Sequence, residues 1–297
     1  MKLSVITPSY NQGQFIERTI LSVINQNVPD LEYLVIDGGS KDQTIDLLKQ
    51  YSGNLNWVSE ADYGQADAVN KGIRRSQGEI IGWLNSDDIY YPGILNKVID
   101  FFDSHPDVMI VYGNANHIDE RDVVIEPYPT SNWNFEELFD VCFICQPAVF
   151  FRRSLVDKVG LLNAQLQYCM DYEYWLRIGE KYPFSFIPEV LAGSRLYPQT
   201  KTLGAREKVH REIIGMIYEK TKEPPTRWIY NLGHVIAREK GLLRTTRQDE
   251  IRFVFEVFKV AIIEHIRLGR LLPYKDLRTI TKLLQKYLST YWGASKL

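Results

Sequence analysis

Short apolar runs alternate with stretches of helical period over the first third of the chain, and this alternation limits the fold more than any other feature. "LSVIT" (3–7) is followed by a segment, Phe15 to Gln26, that places Phe15, Ile16, Thr19, Ile20, Val23 and Ile24 on one side. "YLVID" (33–37) precedes a helix opened by Asp42 and carrying Ile45, Leu47 and Leu48. "NWVSE" (56–60) precedes "GQADAVNKGIRRSQG", "EIIGWL" (79–84) precedes "PGILNKVIDFF", and "VMIVYG" (108–113) makes a fifth strand. Strand following helix following strand predicts an α/β protein with a mostly parallel central sheet flanked by helices. The runs lack polar alternation, so their strands are covered on both faces.

Beyond residue 113 the pattern changes. "HIDERDVVIEPYP" predicts a hairpin, and "CQPAVFFRRSLVDKVG" a strand and a short helix ending at Gly160. "MDYEYWLRIGEKY" predicts a helix opening on Asp171, and "FSFIPEVLAGSRLYPQTKT" a strand followed by a polar loop. From Glu207 the chain reads as helix, with breaks at Pro224-Pro225 and Pro273. The boundary is placed near 205, giving a domain at 1–205 and a basic helical region at 206–297. Charge divides at the same place. Residues 1–200 carry 15 Lys+Arg against 27 Asp+Glu, whereas residues 201–297 carry 20 against 10. An acidic body suits a cation, a basic surface suits phosphate or anionic lipid, and nucleic acid is not an expected partner. Three cysteines, an odd number, argue against a disulfide framework and fit a reducing cytosol. "MKLSVITPSYN" has the character of a buried strand rather than a signal peptide, and no run reaches the length of a membrane span.

The strand ends carry the chemistry. The first ends in Thr7-Pro8-Ser9-Tyr10-Asn11, the second in Asp37-Gly38-Gly39-Ser40, the third in Glu60-Ala61-Asp62 and the fourth in Asn85-Ser86-Asp87-Asp88. Ligands of open α/β sheets bind beyond the carboxyl ends of the strands, so four polar ends in succession point to one shared cleft. Asp42 reads as a helix cap. There is no G-x-x-x-x-G-K-[ST], no G-x-G-x-x-G after the first strand and no G-x-S-x-G. The C-x-x-C of "CFIC" (142–145) has no second ligand pair, which favours apolar packing over zinc. What remains is oxygen chemistry. Asp87 and Asp88 repel each other unless something positive joins them, and Mg²⁺ or Mn²⁺ bridging to a substrate diphosphate would do so. The competing explanation is that one of the two caps the helix near Pro92.

Taken together and in this order, "TPSYN", "DGGSKDQT", "SEADYGQADAVNKG", "GWLNSDD" and "MDYEYWLR" resemble the family 2 glycosyltransferases, over roughly residues 3 to 203. The resemblance implies a GT-A fold and an inverting enzyme using a nucleotide-sugar donor. It implies that Thr7, Pro8, Tyr10, Asn11 and Asp37 line the base and ribose pocket, joined by Glu60, Asp62, Asn70 and Lys71. It puts Asn85 and Ser86 on the ribose side, makes Asp87 a metal ligand with Asp88 in support, and makes Asp171 the catalytic base. A helix cap is the competing explanation for Asp171, while Glu173 points elsewhere. The loop 194–202 departs from the family pattern: where relatives often carry a histidine, this chain has Tyr197. In that loop Arg195 and Lys201 face two readings, contact with the diphosphate or a solvated basic loop. Gln146-Pro147 would border the acceptor, a glycan or lipid-linked hydroxyl.

The motifs stop before the basic tail. Over 276–292, Leu277, Ile280, Leu284, Tyr287 and Tyr291 recur on one helical face and Arg278, Lys282 and Lys286 on another. The stretch Ile251 to Leu272 is richer in apolar residues. Packing on the catalytic body, a homo-oligomer interface and contact with the inner face of a membrane compete here. For the whole chain, the leading reading is a metal-dependent glycosyltransferase of surface polysaccharide or glycoconjugate synthesis. A sugar-nucleotide nucleotidyltransferase and a non-catalytic nucleotide-sugar-binding protein are its rivals.

Overall fold

The computed structural model describes residues 1–271 and divides into two compact units, Met1–Gly204 and a second beginning at Ala205. In the first unit nine strands form one mixed sheet in the order β3-β2-β1-β4-β8-β6-β9-β5, with β7 paired to β6. The strands are β1 (Leu3–Ser9), β2 (Glu32–Asp37), β3 (Asn56–Ser59), β4 (Ile80–Trp83), β5 (Ile89–Tyr90), β6 (Ile110–Ile118), β7 (Val124–Pro127), β8 (Val149–Arg152) and β9 (Ser185–Arg195). The first half is parallel as expected: β1 pairs with both β2 and β4, and β2 with β3. The second half makes the sheet a mixed one. β8 runs antiparallel to β4 and β6, β7 to β6 and β5 to β9, and only β6 with β9 is parallel there. For β6 and β7 the cause is the short link 118–124, which has no room for a crossover helix.

Helices α1 (Ile16–Ile24), α2 (Thr44–Gln50), α3 (Gln65–Arg75) and α4 (Ile94–Ser104) follow the early strands, and α5 (Arg153–Val159), α6 (Met170–Gly179) and the short α7 (Lys201–Gly204) the later ones. Helix α1 buries Ile16, Thr19, Ile20 and Val23, nearly the set its spacing predicts. The strands of the first half are buried along their length, except β3 at the edge. Asp42 sits two residues before α2 and accepts the Thr44 amide at 3.0 Å.

The second unit holds α8 (Arg206–Thr221), α9 (Thr226–Glu239) and α10 (Arg247–Arg267). Pro224-Pro225 separates the first two, while Pro273 lies outside the described residues. Ile214, Ile229, Leu232, Val260 and Ala261 make its core. Helices α9 and α10 touch at Gly233, where a Cβ would stand 2.9 Å from the Val257 carbonyl oxygen. Helix α10 starts on a capping box: the Thr246 hydroxyl accepts the Asp249 amide, and the Asp249 carboxylate accepts the Thr246 amide.

Candidate active site

Beyond the carboxyl ends of β1, β2 and β4 lies a cleft of about 660 Å³, within the range of small-molecule sites. Strand β1 delivers Pro8, Ser9 and Tyr10 to it, and the chain after β2 delivers Gly38. A Cβ on Gly38 would stand 2.6 Å from Asp62 Oδ2 and 3.3 Å from the Tyr10 ring, so a glycine is needed for those two side chains to approach. Ala61, Asp62 and Gln65 line the cleft ahead of and at the start of α3, and Asn85–Asp88 line it after β4. Ser194, Arg195 and Tyr197 come from the end of β9, and Gln199–Thr202 complete the rim.

Asp87 and Asp88 meet at the centre of this wall. Asp88 is 4% exposed. Its Oδ1 accepts the Arg195 backbone amide at 2.8 Å and its Oδ2 the Asn85 amide at 3.2 Å. Burial, then the charge of Asp87, pushes its carboxyl well above the usual range. Asp87 accepts the Tyr197 hydroxyl on Oδ2 at 3.0 Å. Burial raises its pKa too, opposed by the Tyr197 hydrogen bond and, at longer range, by the charges of Arg195 and Lys201. The helix-cap explanation is not followed: α4 begins at Ile94 behind a left-handed Gly93, with no side-chain cap. Among the described residues no group of three or more His, Cys, Asp or Glu converges. The donor set still fits a hard divalent ion, because Mg²⁺ commonly takes one or two carboxylates and completes its shell with water and phosphate. Asp87 is the carboxylate suited to it. Asp88, grouped with it as support for the metal, has one oxygen engaged by the Arg195 amide at the end of β9 and the other by Asn85.

Asn85 is the hub of this wall. Its Oδ1 accepts from Gln65 at 2.7 Å and from the Trp83 indole at 2.9 Å, and its Nδ2 donates to Gln146 at 2.8 Å and to Asp88. A side-chain amide has two donors and two acceptor lone pairs, all used here. Asn85 therefore braces the wall, and the reading that aims it at a ribose is corrected. Ser86 is buried in the same turn, and its carbonyl accepts the Thr19 hydroxyl at 2.9 Å.

Arg195 is corrected as well. Its side chain is buried and donates through Nε to the Asp87 carbonyl at 2.6 Å and through Nη1 to the Asp119 carbonyl at 2.6 Å. It also pairs with Asp122, and its guanidinium lies 4.8 Å from the Phe15 ring centre. It clamps the Asp87 turn to the β6–β7 hairpin and has no reach toward a diphosphate. Lys201 is exposed but bonded. Its ammonium donates to Gln65 Oε1 at 3.0 Å and to the Gln167 carbonyl at 2.8 Å across the rim. Tyr197, with its ring centre 4.8 Å from that of Phe15, has its phenol pKa pushed up by burial and by the Asp87 charge.

Six residues expected in the pocket are not among those that line it. Thr7 is buried against the Tyr33 hydroxyl at 3.3 Å. Asp37 accepts from the Gly39 and Ser40 amides at 3.0 and 2.9 Å and from the Ser59 hydroxyl at 2.6 Å, tying the ends of β2 and β3 together. Asn11 accepts the Lys41 amide at 2.8 Å. Asn70 brackets Leu162, donating to its carbonyl at 2.9 Å and accepting its amide at 3.0 Å. Glu60 pairs with Lys71 at 3.5 Å and Arg75 at 3.2 Å, and Lys71 also reaches the Ala61 carbonyl.

Asp171 occupies the first turn of α6, one residue inside the helix, while the cap position is Cys169, whose side chain does not cap the helix. It is half-buried, does not line the cleft and acts electrostatically on Tyr128 and Cys142. Glu173 is tied up by Arg177 through two contacts of 2.8 Å. Sequence reasoning missed Gln12 and Gln65, which both line the cleft, and the polar role of Tyr197. Gln65 stood inside a quoted motif, and Tyr197 was visible only as a departure.

The sequence model of the family described as Glycosyl transferase family 2 matches residues 4–160. An uncharacterised glycosyltransferase of Rickettsia prowazekii (strain Madrid E) is 26% identical over 238 residues, 74% of this chain and 73% of that one. Escherichia coli chondroitin synthase is 26% identical over 219 residues, 71% of this chain but 32% of its own length. An uncharacterised glycosyltransferase of Rickettsia conorii is likewise matched over 34% of its length, so the chain spans about a third of both these relatives. Among solved structures, residues 1–349 of S. aureus TarS in complex with UDP-GlcNAc superpose with a TM-score of 0.58 at 16% identity, covering 90% of this chain and 81% of that one. The mannosyltransferase PcManGT from Pyrobaculum calidifontis, in complex with GDP-Man and Mn²⁺, gives 0.61 at 17% identity, covering 97% and 82%. At these identities the likeness establishes the GT-A fold.

Proposed function

Because the chain belongs to glycosyl transferase family 2, we propose that it is an inverting transferase moving a sugar from a nucleoside-diphosphate donor, UDP-linked, to a hydroxyl of a glycan or lipid-linked acceptor. The observation that carries the reading is Asp87, a raised carboxylate on the wall of the cleft beyond the parallel strands. TarS and PcManGT, similar in fold, were solved with UDP-GlcNAc and with GDP-Man and Mn²⁺. In this reading Tyr10, 60% exposed at the cleft, meets the base, and Gly38 and Asp62 shape the ribose side. Asp87 would hold Mn²⁺ or Mg²⁺, which when bound stabilises charge on the leaving diphosphate. Asp88, Asn85 and the Arg195 clamp keep Asp87 aimed, and Lys201 bridges the rim from Gln65 to Gln167. Asp171 takes the proton of the acceptor hydroxyl as it attacks the far face of the anomeric carbon, giving inversion. The 1–205 and 206–297 division separates this chemistry from a second job in the basic part. The product enters a surface polysaccharide or glycoconjugate, and the enzyme works in the cytoplasm, peripheral to the membrane. No described helix is long and apolar enough to cross a bilayer.

Family membership displaces the nucleotidyltransferase reading. The deciding assay measures nucleoside-diphosphate release from a panel of UDP- and GDP-sugars, with and without Mn²⁺, over an acceptor series. Metal-stimulated release from a UDP-sugar is expected. Donor binding without release under every condition would point to the non-catalytic alternative.

A further inference from the structure

One short stretch of chain, Arg195 to Tyr197, addresses both carboxylates of the acidic turn. The Arg195 amide donates to Asp88 Oδ1 at 2.8 Å, and the Tyr197 hydroxyl donates to Asp87 Oδ2 at 3.0 Å. Tyr197 is held for this from three sides. Its ring packs against Phe15, with the centres 4.8 Å apart. Its carbonyl accepts the amide and the hydroxyl of Thr200, at 3.0 and 2.9 Å. Gln12 Nε2 donates to its hydroxyl oxygen at 3.5 Å. A phenol has one proton to give. With Gln12 donating into the phenol oxygen, that proton is directed at Asp87. The residue is 9% exposed yet lines the cleft, so its hydroxyl works at the edge of the ligand space rather than in the core.

Asp87 needs such a hold. Asp88 beside it is fixed by its own two bonds, so repulsion within the pair falls on whichever carboxylate can turn. Tyr197 engages one oxygen of Asp87, and an ion that takes a carboxylate through a single oxygen can use the other. Outer hydrogen bonds that orient a ligand commonly set metal affinity by about 10–100-fold. We infer that Tyr197 is a positioning residue for the metal. Through its hydroxyl it fixes Asp87 in the orientation that receives Mn²⁺ or Mg²⁺, and it touches neither the ion nor the nucleotide itself. This inference rests on the reading of Asp87 as the metal ligand.

The test is Mn²⁺ affinity in the presence of UDP, read from the paramagnetic resonance signal of the free ion. The full chain is compared with Tyr197→Phe, Asp87→Ala and the double variant. Tyr197→Phe keeps the ring on Phe15 and removes only the hydroxyl. It should weaken Mn²⁺ binding by about tenfold. Turnover of the sugar donor should return at saturating Mn²⁺, with a raised apparent KM for the ion and kcat near that of the wild type. Tyr112→Phe removes a phenol that donates to the Ser131 carbonyl at 2.8 Å and should leave the affinity unchanged. In the Asp87→Ala background Tyr197→Phe should add nothing, because the hydroxyl acts only through that carboxylate. Wild-type affinity in Tyr197→Phe, beside a loss in Asp87→Ala, overturns the inference and leaves the reading of Asp87 standing. A further loss on adding Tyr197→Phe to Asp87→Ala overturns it too, since Tyr197 would then touch the ligand itself. A loss of equal size in Tyr112→Phe would mark a general loosening of the unit and overturn it as well. Wild-type affinity in Asp87→Ala removes the reading of Asp87 and this inference with it.

Discussion

Two of the almost fully buried carboxylates, one from each unit, are treated in opposite ways. Glu264 in the helical unit is 1% exposed and receives two guanidinium groups, Arg211 at 2.5 Å and Arg267 at 2.7 Å. Asp88 in the catalytic unit is 4% exposed and receives a backbone amide and a side-chain amide, with another anion next to it in the chain. A buried charge costs several kcal/mol unless it is matched. The helical unit matches its charge internally, as a fold does. The catalytic unit leaves a deficit of positive charge on the wall of a cavity, and that deficit is a place for a ligand.

Four substitutions would break or sharpen this contrast. The largest effect falls on Asp171, the remaining acidic group assigned to the chemistry. Asp171→Asn should lower turnover by about 10²–10⁴-fold with donor affinity unchanged, because the amide cannot take a proton. Single-turnover rates beside donor titration would show it, and wild-type turnover would return Asp171 to a structural part. Next, Asp87→Ala should weaken metal-dependent nucleoside-diphosphate binding on the order of 100-fold. Calorimetry with UDP and Mn²⁺ checks this, and undiminished affinity would remove Asp87 from the site.

Glu264→Gln tests the other side of the contrast. Breaking a buried pair costs about 3–5 kcal/mol, but Arg211 and Arg267 are 39% and 50% exposed and can turn to water. A loss of about 1–2 kcal/mol in chemical denaturation is expected, with transfer unaffected. The smallest effect is a gain. Asp87→Asn should stabilise the ligand-free protein by about 1 kcal/mol at neutral pH while ending metal response, since it removes the charge repelling Asp88. A folded carboxyl with a raised pKa keeps its proton longer than the unfolded one. Wild-type stability therefore falls as pH rises from the ordinary value of 3.8 through the raised one. Asp87→Asn should make that fall shallower without erasing it, because burial is the larger cause. An unchanged pH slope would mean that the pair does not repel.

The parallel half of the sheet was legible because each buried strand and covering helix carries its own period, as β1 with α1 does. The antiparallel half was not, because β4 and β8 are separated by 65 residues and their pairing leaves no local mark. Asp87 was legible as half of an acidic pair at a strand end. Asn85 was named but given the wrong partner, because a side-chain amide bonded on all sides looks in sequence like one free to bind. Arg195 misled for a related reason: a cation in a loop beside an anionic substrate suggests contact, whereas its burial under Phe15 and Asp122 is a tertiary fact. The basic helix read over 276–292 lies outside the described residues.

The Arg195 clamp has a consequence for anyone who wants to label or lengthen this chain. The turn at 119–122 sits on the surface, with Asp122 in a left-handed conformation, and by ordinary judgement it would be a safe place for an inserted tag. Its Asp119 carbonyl and Asp122 carboxylate, however, are held by the same guanidinium that holds the Asp87 carbonyl. An insertion there would pull on the cleft from outside and blunt the nucleotide binding proposed for it. The connection at 241–245 joins α9 and α10 of the other unit and is the better site for a handle.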